Sequence, residues 1–151
     1  MADKLKITHI DQIGIIVKDM DKAVKHYESL GIGPFKSLWA DVEIAERRVH
    51  GKIANDVKNL VMVAQIGPLE IELVQTLSGN SVQKEFLDKH GEGVHHVGIF
   101  VENKDYQKEV DKLLEKGLKI SANIKTVKGP RTCAYFETDD VGGIQLELIS
   151  K

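Results

Sequence analysis

Four side chains in this sequence, Gln12, Glu72, His96 and Glu147, can each offer an oxygen or a nitrogen to a cation, and each stands in an otherwise apolar run. They fall at matched positions of an internal repeat. Gln12-Ile-Gly-Ile-Ile-Val-Lys18 matches His96-Val-Gly-Ile-Phe-Val-Glu102 at an offset of 84 residues, and Glu70-Ile-Glu-Leu-Val74 matches Gln145-Leu-Glu-Leu-Ile149 at an offset of 75. Charges are rare inside sheets unless they are paired or bound to a metal. One glutamate between apolar neighbours most simply faces solvent from an alternating strand. Two at matched positions, with Gln and His matched as well, point instead to a cleft that binds a divalent ion. Held by two carboxylates, one imidazole and one amide, such an ion remains a Lewis acid. It can then stabilise the anionic oxygen that forms when a C–H beside a carbonyl loses its proton.

The elements that must hold these residues are legible from periodicity and turn chemistry. Ile10 to Val17 is rich in β-branched residues and reads as a strand. Met20, Ala23, Val24, Tyr27 and Leu30 then recur at helical spacing, with Asp19 as N-cap. Gly31-Ile-Gly-Pro34 ends that helix. Extended stretches follow at Phe35 to Val42, Ala45 to Lys52, Asn59 to Ile66 and Leu69 to Gln75, with a turn at Gly67-Pro68. Ser81 to His90 reads as a short helix connecting two halves, broken by Gly91-Glu-Gly93. Val94 to Val101 is a strand, and Asp105 to Lys116 is an amphipathic helix with Val110, Leu113 and Leu114 as its apolar face. Lys119 to Val127, Thr132 to Glu137 and Gly143 to Ile149 complete the strands.

The fold class is therefore α+β, built from two tandem βαβββ modules within a single domain over 1–151. Module one spans about 7–76, the connection 77–92 and module two 93–151. Duplication places matched residues symmetrically about a pseudo-two-fold axis. Within the second-half strand, alternation puts His96, Gly98 and Phe100 on one face and His95 on the other.

The bulk composition excludes several functions. A chain of 151 residues can bury a real core, and a net charge of −2 with both signs spread throughout argues against nucleic-acid binding. No apolar run approaches the ~20 residues needed to span a bilayer. One cysteine, Cys133, allows no intrachain disulfide. With no apolar leader in the first ten residues, these features predict a cytoplasmic protein.

At the residues quoted above, the sequence resembles the vicinal oxygen chelate superfamily. That group holds glyoxalase I, methylmalonyl-CoA epimerase, extradiol dioxygenases and bleomycin-type resistance proteins. Gly91-Glu-Gly-Val-His-His-Val-Gly98 is most similar to methylmalonyl-CoA epimerases, as are the glutamate-bearing strands Glu70 to Val74 and Gly143 to Leu148. The resemblance implies a curved mixed sheet around a metal-binding cleft. It implies Gln12, Glu72, His96 and Glu147 as ligands of one divalent ion (Co2+, Zn2+, Ni2+, Mn2+ or Mg2+) with positions open for substrate. It implies Glu147 as an acid/base. The substrate is then a small molecule, an acyl-CoA thioester, and the protein a homodimer. The activity implied is metal-dependent epimerisation by proton abstraction next to a carbonyl, with methylmalonyl-CoA epimerase as the nearest type. Gln12 stands where epimerases commonly have His and where eukaryotic glyoxalase I has Gln. Glyoxalase I-like isomerisation is therefore an alternative, as is a metal-free resistance protein.

The other conspicuous residues carry weaker signals. Glu43 and Glu46 are candidates for a second base. Lys125, Lys128, Arg131, Arg47 and Arg48 are either surface charge or contacts for CoA phosphates. His9, His26, His50, His90 and His95 read as ordinary histidines, Cys133 as a small buried residue, and Trp39 as either cleft lining or packing.

Overall fold

The computed structural model describes residues 3–38, 42–128 and 132–151, so Trp39 and Arg131 lie outside the described residues. Along the chain run β1 (Gln12–Ile16), α1 (Met20–Ser29), β2 (Lys36–Ser37), β3 (Glu43–Val49), β4 (Lys52–Ile53), β5 (Lys58–Ile66) and β6 (Leu69–Ser78). Then come α2 (Val82–His90), β7 (Gly93–Val101), α3 (Asn103–Glu115), β8 (Ile120–Lys128), β9 (Cys133–Phe136) and β10 (Gln145–Ser150). The helix signals act as expected: the Asp19 side chain accepts from Lys22 N–H at 3.0 Å, and Ser81 caps α2 through Lys84 N–H at 2.9 Å.

Among the described residues, all strands join one curved mixed sheet in the order β2-β5-β6-β1-β7-β10-β9-β8-β3-β4. Each half repeats one pattern. The first strand lies parallel to the last, β1 on β6 and β7 on β10, and the two first strands meet antiparallel at the centre. The departure from a plain repeat is β3 with its hairpin partner β4. They leave their own half and add to the far edge of the other, β3 pairing antiparallel with β8. β2 lies on β5 at the opposite edge. Only residues 38–42 connect β2 to β3, and five residues reach no more than about 18 Å. The two ends of the sheet must therefore approach one another, and the sheet curls into a half-barrel.

Alternation along the strands gives this curve two different faces. In β6, Ile71 and Leu73 pack with Met20, Ala23 and Val24 of α1. In β10, Leu146 and Leu148 pack with Val110 and Leu113 of α3. The intervening residues, Glu70, Glu72, Val74, Gln145, Glu147 and Ile149, take the other face and are also buried. Both faces of these strands are thus enclosed, the outer by helices and the inner by the curl of the sheet. No helix among the described residues is long and apolar enough to cross a membrane.

Candidate metal centre

The central pairing of β1 with β7 positions the site. Its register sets Gln12 opposite Gly98 and Gly14 opposite His96. Each half thus supplies one polar side chain and, two residues later, the glycine that makes room for its counterpart. A Cβ on Gly14 would lie 1.9 Å from His96 Cε1 and 2.0 Å from Nε2. A Cβ on Gly98 would lie 2.9 Å from Gln12 Cβ and 3.0 Å from its Oε1. These contacts explain the spacing of the two matched motifs: the ring and the amide lie against bare backbone.

Gln12, Glu72, His96 and Glu147 come together. His96 is fully buried, and its Nε2 faces Gln12 Oε1 at 3.2 Å, Glu72 Oε2 at 3.0 Å and Glu147 Oε2 at 3.2 Å. Ligand atoms of Glu72, His96 and Glu147 all lie within 4.8 Å of one another. One ring nitrogen carries at most one proton, so it cannot satisfy three oxygens. Glu147 Oε2 is buried and has no hydrogen-bond partner, the only side-chain atom of that kind among the described residues. A cation answers this arrangement. Neighbouring ligands in an octahedron of ~2.1 Å bonds stand about 3.0 Å apart, close to the spacing seen. Two carboxylates, an amide oxygen and an imidazole suit a hard or borderline divalent ion.

Further contacts orient the set. Gln12 Nε2 donates to Glu70 Oε1 at 2.7 Å, which turns the amide oxygen toward His96. His95 departs from expectation. Strict alternation would place it on the opposite face, but the register shifts between Gly14 and Ile15, and His95 is the unpaired residue of a β-bulge. The bulge swings its ring to within 3.0 Å of His96, Nδ1 to Nδ1. Burial and the neighbouring His96 pull the His95 pKa down to about 3, so its ring is neutral and can accept. With a cation on His96 Nε2, the one ring proton of His96 would sit on Nδ1 and point at His95, the arrangement a ligating imidazole requires.

The charges are tuned by enclosure. Burial raises the Glu147 carboxyl to about 7; His96 lowers it against that trend, and Glu72 raises it further. Burial lowers the His96 pKa, but the Glu147 and Glu72 carboxylates outweigh it and the net shift is upward. Burial and Glu147 hold the Cys133 thiol and the Tyr135 hydroxyl well above their ordinary values, so both are protonated.

The ligand cluster borders a cavity of about 210 Å3 whose wall includes Glu72, Glu147, Tyr135, Cys133, Ile124 and Arg47. Glu43 and Glu46, considered as second bases, do not line it. Glu43 is exposed, and Glu46 pairs with Arg48 at 2.8 Å. The residues of β3 that do reach the cavity are Ile44 and Arg47. The sequence left Arg47 as either surface charge or a contact for CoA phosphates; its position one residue from Glu46 on an alternating strand was the available signal for a place in the cavity. Lys128 is exposed at the end of β8.

The family profile described as the Glyoxalase/Bleomycin resistance protein/Dioxygenase superfamily matches residues 11–135. The chain belongs to this superfamily. Solved structures agree in fold. A hypothetical protein from Bacillus halodurans C-125 superposes with a TM-score of 0.63 at 22% identity, covering 95% of this chain and 94% of that one. Methylmalonyl-CoA epimerase from Mycobacterium tuberculosis gives 0.62 at 20% identity, covering 99% and 92%. A methylmalonyl-CoA epimerase in complex with methylmalonyl-CoA and NH4+ gives 0.59 at 20% identity, covering 97% and 96%. No curated protein sequence matches the chain at a significant level. In this chain the matched strands β1/β7 and β6/β10 lie side by side in the order β6-β1-β7-β10, and the candidate metal centre sits on them.

Proposed function

We propose that this superfamily member is a metal-dependent isomerase that moves a proton at the carbon next to a carbonyl, in the manner of a methylmalonyl-CoA epimerase. The observation that carries this reading is the convergence of Gln12, Glu72 and Glu147 oxygens on His96 Nε2, with Glu147 Oε2 otherwise unpartnered, at the edge of a small, partly open cavity. A divalent ion held there supplies Lewis acidity that stabilises negative charge on a substrate carbonyl oxygen.

The protein's own groups do the rest. Glu147 is the acid/base: its carboxyl group lines the cavity beside the other ligands, within reach of a carbon held there. Tyr135 and Ile124 line the cavity in which the reacting carbon would sit. A cavity of about 150 Å3 holds a benzene ring, so about 210 Å3 admits a short acyl group and leaves any large carrier outside. That division suits an acyl thioester, whose reacting end is small.

The cavity also bears on the alternatives. Tyr135 is the one aromatic residue lining it among the described residues, which offers little stacking surface to a planar drug. Glyoxalase I-like isomerisation remains the second reading, favoured by Gln12 as the first-half oxygen donor.

Incubation in D2O with a divalent ion and methylmalonyl-CoA tests the proposal, with deuterium at the α-carbon read by mass spectrometry. Rapid, metal-dependent incorporation is expected. No incorporation by metal-loaded protein, with turnover of the methylglyoxal hemithioacetal instead, would replace the epimerase reading with the glyoxalase one.

A further inference from the structure

Arg47 is 8% exposed, which is unusual for a residue that almost never enters an interior unpaired. Local contacts hold it there. Its backbone N–H donates to Asn55 Oδ1 at 3.1 Å, its carbonyl accepts from Ala54 N–H at 2.9 Å, and its Nη1 donates to Val57 O. Among the described residues the guanidinium has no carboxylate partner. The neighbouring Arg48 does, through Glu46. Most of Arg47's N–H donors therefore remain available, in a rigid fork that matches a carboxylate. Arg47 lines the same cavity as Glu72 and Glu147. Cys133 stands close enough to feel both the Glu147 carboxylate and the Arg47 cation.

Charge balance gives the vacancy a sign. A divalent ion with two ionised glutamates, a neutral His96 and a neutral Gln12 is neutral in sum. Arg47 then leaves the buried part of the cavity one positive charge in excess, the other cation of its wall, Lys58, being exposed to solvent. A burial penalty of this kind is offset by a partner that brings one negative charge and enters with the ligand.

We infer that Arg47 is a substrate-anchoring residue that receives a carboxylate, so that the substrate is a carbonyl compound bearing a second, acidic group a short distance from the carbonyl that undergoes proton transfer. This rests on the isomerase reading above and narrows its substrate class. A malonyl-type acyl group meets the description. A neutral 2-oxoaldehyde adduct does not place a carboxylate in the cavity.

Two small chelators test this without turnover. Acetohydroxamate and malonomonohydroxamate both chelate a metal through the hydroxamate and differ by one carboxylate. Their affinities for the metal-loaded protein are measured by calorimetry, for wild type and R47Q. In wild type the carboxylate-bearing probe binds at least about tenfold tighter. In R47Q that preference collapses to within about twofold, while acetohydroxamate affinity is unchanged, which shows that the metal and the fold persist. Equal affinities in wild type, or a preference that survives in R47Q, overturn the inference. Should R47Q not fold, R47K, which keeps the charge but loses the paired fork, reads the dependence on Arg47, and equal affinities in wild type still overturn the inference. The isomerase reading fails separately. An Arg47-dependent preference without any C–H exchange leaves the anchor and removes the reaction, whereas exchange without the preference does the reverse.

Discussion

Glu147 is asked to do two things: complete the ligand set and carry a proton. Glutamine in its place keeps an oxygen donor but cannot exchange a proton. Glu147→Gln should therefore lower α-proton exchange by about 10²–10⁴-fold, the usual contribution of a positioned acid/base, while bound metal is still detected by elemental analysis. Exchange at the wild-type rate would remove Glu147 from that role. His95 acts through another residue. Its Nδ1 lies 3.0 Å from His96 Nδ1 and, with metal on His96 Nε2, would accept from it and hold the ring in that orientation. His95→Phe fills similar space beside Phe86 and Tyr135 but cannot accept a proton. Loss of such an outer contact typically costs about 10–100-fold in metal affinity, and a titration with chelator competition reads it. Unchanged affinity would mean that the tautomer is set elsewhere.

At the scale of elements, the site depends on two strands lying backbone to side chain. Gly14→Ala places a methyl 1.9 Å from the His96 ring, so the ring must leave or β1 must shift. Added metal should then no longer raise the melting temperature. Gly93→Ala, whose Cβ meets only Phe86 at 3.9 Å, should keep the full metal shift and serves as the control. If both variants respond like wild type, the packing of His96 on β1 is not what holds the site. These glycines show how much could be read from the chain. The repeat of Gln12-Ile-Gly14 and His96-Val-Gly98 is visible because duplication constrains residue type at matched positions. So are the glutamates, whose Ile71, Leu73, Leu146 and Leu148 neighbours reveal an alternating strand. Two features were not legible. His95 was assigned to the opposite face because alternation holds only while pairing is regular, and a bulge leaves no mark in residue type. β3 looked like an ordinary strand of its own half, because pairing with β8 is set by long-range geometry. Glu43 and Glu46 were weighed there as second bases, whereas the charged residue of β3 that lines the cavity is Arg47.

Across the whole molecule, enclosure of the cleft links proton binding, metal binding and stability. Without metal, the raised Glu147 carboxyl favours the folded state below its unfolded value of 4.5, and that contribution is lost as pH rises through about 7. His96, also raised, runs the same way above 6.5. His95, lowered to about 3, works oppositely: its contribution is complete above 6.5 and is lost as pH falls below that value. Metal requires Glu147 ionised and His96 neutral, whereas His95 is neutral with or without it. Metal binding should therefore release protons, and the metal-induced rise in melting temperature should grow from pH 6 to pH 8. A rise that does not depend on pH would contradict the buried carboxylate and imidazole as ligands. The most direct test of the account is a Co2+ titration of wild type and His96→Ala, followed by visible absorption and calorimetry. One ion per wild-type chain is expected, with cobalt d–d bands that are absent in His96→Ala. Equal binding by the variant, or wild type that takes up no ion, would contradict it.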